Sequence, residues 1–133
     1  MDIQLVQINL VFAWLWIVLG FVSGSMIGFN FKFFQTEWIG GYSGLRRRLY
    51  RLGHFSFFGL AFVNLLFYFT IQTLSTPGSL VAIASWSFIV GAVTMPVFCF
   101  AMAHYPNLKN LFYIPVISLI VGGLITFWEV MQL

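Results

Sequence analysis

Charge is the scarcest commodity in this chain. Of 133 residues only 7% are Asp, Glu, Lys or Arg, while 61% are hydrophobic. A water-facing domain carries about 25% charged residues. So few charges cannot cover a surface in water, whereas a surface in hydrocarbon needs none. The mean hydropathy of +0.98 agrees, and the class indicated is an integral membrane protein rather than a soluble enzyme. Acids are rarest of all. Asp2, Glu37 and Glu129 lie too far apart in the chain for a paired-carboxylate mechanism. Cysteine occurs once, at Cys99, which excludes an intrachain disulfide. It also excludes thiol chemistry needing a cysteine pair, as in quinone-coupled disulfide-forming enzymes. No phosphate-binding loop, zinc motif or nucleophile–base set occurs.

Four long apolar segments are present, at residues 8–29, 49–73, 79–104 and 111–130. A spanning helix needs about 20 residues. Backbone groups in lipid must bond internally, and no sustained apolar/polar alternation favours strands, so these segments predict helices. Three connections join them. The first holds FKFFQTEW, where Phe31, Phe34 and Trp38 share one face at helical spacing, predicting a short interfacial helix at 31–38. Gly40, Gly41 and Gly44 then turn the chain. The second connection is a tight turn around Pro77 and Gly78, and the third contains Pro106. Short connections predict an all-α, up-down antiparallel four-helix bundle forming one membrane domain over residues 1–133.

The six basic residues are Lys32, Arg46, Arg47, Arg48, Arg51 and Lys109. All lie on the first or third connection or its margin. The positive-inside rule therefore puts those connections in the cytoplasm and both termini on the non-cytoplasmic side. The expected location is multi-pass in a bacterial inner membrane. Topology also accounts for the sequence pI of 9.4, so nucleic acid is not an expected partner. The first segment has no basic residue before it and too long an apolar run for a cleavable signal peptide.

The stretch LRRRLYRLGHFSFFG holds the first chemical candidate. His54 falls about one turn inside the arginine-rich end of the second segment, and His104 ends the third. Antiparallel helices bring both to one membrane level, where two imidazoles can bind the two faces of a b-type haem iron. Arg47 and Arg51 share the face of His54. They suit haem propionates, a quinone head or an anionic lipid. The simpler alternative is two hydrogen-bonded structural histidines. A second candidate is the stripe Met95, Cys99 and Met102, whose soft ligands suit Cu(I) but are also ordinary core fillers.

Two further features concern packing. Gly20, Gly24 and Gly28 form GxxxGxxxG, which lets a backbone or flat ring approach closely, and Gly122 and Gly123 offer a facing surface. Pro96 lies deep in the third segment and strips the carbonyl of Ala92 of its usual donor. Thr94 or Asn64 is expected to compensate, and Asn64 is expected to bond across helices.

Small multidrug resistance exporters share the length and the four helices, but they need a glutamate within the first helix. Residues 8–29 contain no acid, which excludes that family. In architecture the chain resembles the haem-bearing membrane anchors of respiratory complexes. The leading expectation is a noncatalytic membrane subunit of a larger, electron-handling complex, in contact with lipid and other subunits. It would help to hold a haem, quinone or pigment near the cytoplasmic face. The alternative is an oligomeric carrier of a neutral solute, using Asn64, Ser23, Ser25, Ser56, Ser85, Ser87, Thr94 and Ser118. Copper handling through Met95 is a weaker one.

Overall fold

The computed structural model describes residues 3–29 and 44–132, and every regular element among them is helical. Helix α1 is Ile3–Phe29, α2 is Leu45–Thr73, α3 is Val81–His104 and α4 is Tyr113–Val130, with a 3-10 segment at Pro106–Phe112 before α4. All four α-helices are long and apolar enough to cross a membrane, α4 together with the preceding 3-10 segment. The expected interfacial helix at 31–38, together with Asp2, Lys32 and Glu37, lies outside the described residues.

Helix ends depart from the hydropathy boundaries for local reasons. α1 begins at Ile3 rather than 8, because Gln4 and Gln7 are polar but good helix formers. α2 begins at Leu45 rather than 49. Gly44 is extended (φ −62°, ψ 142°) and the helix starts directly after it. The arginines therefore stand inside α2, where their long stems can lie along apolar surface while the guanidinium groups reach water. α3 ends at His104, and Pro106 opens the 3-10 segment. Pro115 falls in the first turn of α4, where its missing N–H breaks no helical bond.

Packing follows chain order. α1 packs on α2, α2 on α3 and α3 on α4, while α1 touches α3 more lightly. α3 is the most buried of the four, and α1 and α4 bury the smallest shares of their spans. Lipid tails are as apolar as leucine, so close packing and interhelical hydrogen bonds hold such helices together rather than water exclusion. Small residues on α3 permit the approach. Ala84 and Ala92 are fully buried, and Leu119 of α4 lies where a side chain on Gly91 would stand. One core group gathers Val6, Phe67, Ile71, Val81 and Phe88, and another gathers Ala13, Trp16, Leu60, Ala61 and Ala92. α4 does not pack extensively on α2. An open apolar cleft of about 470 Å³ runs between them, with Phe67, Phe88, Leu119 and Gly123 among its walls.

Buried polar groups stitch these helices. Asn9 of α1 donates through Nδ2 to Asn64 Oδ1 of α2 at 2.8 Å, and Ser85 Oγ of α3 donates to Asn9 Oδ1. Asn64 Nδ2 turns back to the carbonyl of Leu60 at 2.8 Å. All three side chains are sealed. Asn64 thus bonds across helices, but its partner Asn9 was not singled out from the sequence. The carbonyl freed by Pro96 corrects another expectation. Neither Thr94 nor Asn64 serves Ala92. Trp16 of α1 does, its indole Nε1–H donating at 3.0 Å, while Thr94 bonds Val90 within its own helix.

Candidate functional site

The arginine-bearing end of α2 meets the end of α1 on one side and the end of α3 on the other. Gly53 makes the second approach possible, because the Phe100 ring and Cys99 Cβ occupy the space of a side chain there. On the first side Phe58 lies over Gly20 and His54 over Gly24. A Cβ on Gly24 would stand 2.9 Å from His54 Cε1. Two positions of the GxxxGxxxG run therefore receive rings from α2, while no described residue lies within 4 Å of a side chain at Gly28. Gly122 lies under Phe88 of α3, and Gly123 is open.

His54 is held by three contacts. Its Nδ1 is 2.9 Å from Ser23 Oγ, and its ring stands edge-on to Phe58 at 5.6 Å and 90°. Phe55 lies alongside at 5.6 Å. The Ser23 hydroxyl has one proton and also reaches the Gly20 carbonyl at 3.0 Å. With that proton on Gly20, Ser23 Oγ accepts from His54 and the imidazole carries its proton on Nδ1. Nε2 is left with a lone pair. It has no hydrogen-bond partner, and no unpartnered side-chain nitrogen or oxygen is sealed among the described residues. Nε2 is therefore not fully sealed. A histidine fixed through Nδ1 and open at Nε2 has the arrangement of a metal-ligating imidazole with its outer partner in place.

His104 is oriented differently. Its Nε2 is 2.8 Å from the Tyr50 hydroxyl, and the Tyr50 ring also meets Phe100 at a tilt, with centroids 5.4 Å apart. Tyr50 and His54 are one turn apart on α2, which places both imidazoles at the same end, within roughly 6 Å of axial rise. They are turned to different neighbours, His54 to α1 and His104 to α2. Arg51 is exposed, and Arg47 is partly covered.

The other candidates are dispersed. Cys99 is sealed against Gly53, and Met95 packs on the core around Trp16. Among the described residues no group of three or more His, Cys, Asp or Glu side chains could hold a metal. Asn64 and Ser85 are sealed, Ser56 and Thr94 bond their own helices, and Ser87 and Ser118 line a shallow groove on α3 and α4. Glu129 is buried, and its Oε2 accepts the Gly78 N–H at 2.9 Å, tying α4 to the turn before α3. Asn9, Trp16 and Ser23 carry the interhelical bonds that sequence reasoning left unassigned. Their signal was the rarity of a side-chain N–H or O–H inside an apolar segment.

No protein-family model, curated protein or solved structure matches this chain.

Proposed function

We propose that this chain is a noncatalytic integral membrane subunit of a larger, electron-handling complex, and that His54 helps it to hold a b-type haem near the cytoplasmic face. The single observation behind the reading is the fixed His54: Nδ1 held on Ser23, no hydrogen-bond partner at Nε2, and glycine beneath the ring. The residues that would hold the group are His54, through Nε2, and Arg47 and Arg51, whose guanidinium groups suit its carboxylates. Bound there, haem would supply one-electron chemistry. His104, now bonded to Tyr50, is the second residue that would hold the group.

The chain is read as an up-down bundle with both termini on the non-cytoplasmic side of a bacterial inner membrane. The start of α1 bonds the end of α2 through Asn9 and Asn64, and the end of α4 bonds the turn before α3 through Glu129 and Gly78. Both contacts fit antiparallel neighbours, and the basic residues orient them. Docking to other subunits is supported by the thinly buried flanks of α1 and α4. The dispersed polar side chains favour this reading over a solute carrier.

The test is a visible spectrum of the gently solubilised complex, oxidised and then dithionite-reduced. The expected result is a Soret band with a sharp reduced α-band, abolished in His54→Ala. In His104→Ala a change of ligation state, not loss of the band, is expected. A well-folded native complex without visible absorption would sink the haem reading and leave His54 as a packing residue.

A further inference from the structure

The arginine-bearing end carries charge that the described chain does not neutralise. Arg46, Arg47, Arg48 and Arg51 open α2, and Lys109 lies in the 3-10 segment after α3. The bond between Tyr50 and His104 ties these two regions to one end of the molecule. Glu129 is the only acid among the described residues, and it sits elsewhere, bonded to Gly78. Among the described residues no acid stands against the exposed Arg48, Arg51 or Lys109, and of these Arg48 and Lys109 are the two candidates for separate seats.

Each of these two cations heads an apolar track. Arg48, Leu52 and Phe55 fall at i, i+4 and i+7 on α2, and all three are exposed. That spacing is one helix face. Beside it the track stays open at Gly59, where a side chain would meet nothing. Lys109, in the 3-10 segment, is followed by the exposed Leu111, and Tyr113 and Ile117 at i and i+4 expose one face of α4 directly after it. A fixed positive charge at the membrane edge, followed by an exposed hydrocarbon face, has the shape and polarity of an anionic phospholipid in reverse. A zwitterionic lipid presents the same tails but no net charge, and a free anion has no use for the track.

We propose that Arg48 and Lys109 each seat the phosphate of an anionic phospholipid, with its acyl chains along the apolar residues that follow. The inference requires the helices to span a bilayer and is independent of haem. A basic residue beside an anionic leaflet is worth about five-fold in affinity.

The full chain would be reconstituted in nanodiscs of equimolar phosphatidylcholine and phosphatidylglycerol, and the lipids retained on release counted by native mass spectrometry. The wild type is expected to retain phosphatidylglycerol preferentially, and the R48Q/K109Q double variant to lose that preference. Should the double variant fail to reconstitute, R48Q and K109Q singly are each expected to lose about five-fold. Unchanged preference in these variants, or none in the wild type, overturns the proposal. So does an equal loss in R51Q, which would indicate diffuse attraction to the whole basic end. Sodium phosphate abolishing the preference where sodium chloride of equal ionic strength does not would assign the cations to a soluble anion and overturn it too.

Discussion

A proline in a helix within lipid leaves a carbonyl that no water will satisfy. At Pro96 the orphan is the Ala92 oxygen, and the donor comes from a different helix through Trp16 Nε1. Trp16 also stacks on Phe12 at 4.0 Å, so its ring is held from its own helix while its N–H faces α3. Trp16→Phe keeps an aromatic ring and removes the donor. It is expected to destabilise the fold by about 1–3 kcal/mol, the cost of an unsatisfied buried carbonyl, measured by unfolding in mixed micelles. An unchanged midpoint would show that the Ala92 carbonyl needs no donor. His54 illustrates the same logic at the candidate site. Its tautomer follows from where the single Ser23 proton goes, a fact invisible without the neighbouring helix.

At the scale of the element, α1 and α2 meet by placing rings over glycines. Gly24 and Gly28 look equivalent in the GxxxGxxxG pattern, yet His54 covers one and no described residue covers the other. Gly24→Ala is expected to push His54 off Ser23 and cost about 1–3 kcal/mol as overpacking. Gly28→Ala should stay within about 0.5 kcal/mol of wild type. Thermal unfolding of both variants checks the pair, and equal effects would mean the glycines act through backbone flexibility instead. Periodicity identified the stripe, but a repeat of small residues does not say which of them is met. Likewise the existence of four long helices was legible in hydropathy, whereas the start of α2 among its arginines was not. Hydropathy marks where lipid begins, and a helix of good formers continues past that line.

For the whole molecule the testable matter is orientation. Ser75 and Asn107 are exposed on successive connections, and Cys99 is buried, so native thiol background is expected to be low. In intact cells, Ser75→Cys is expected to react with a membrane-impermeant maleimide, and Asn107→Cys only after permeabilisation. The reverse pattern would invert the bundle and move the His54 end to the outer face. The open cleft between α2 and α4 belongs to this scale as well. Chain-order packing leaves α4 resting mainly on α3, which no segment-by-segment reading reveals.

Composition and hydropathy by themselves determined four helices apolar enough to span a membrane, because a chain with this little charge has no other solvent that suits it. They also determined that basic residues gather at the connections, since charge is tolerated only where water is near. Which polar group answers which was decided by tertiary structure alone. Asn9 with Asn64, Trp16 with the Ala92 carbonyl, and Ser23 with His54 join residues far apart in the chain. A hydrogen bond requires alignment within a few tenths of an ångström and some tens of degrees, and only the relative rotation of packed helices sets that.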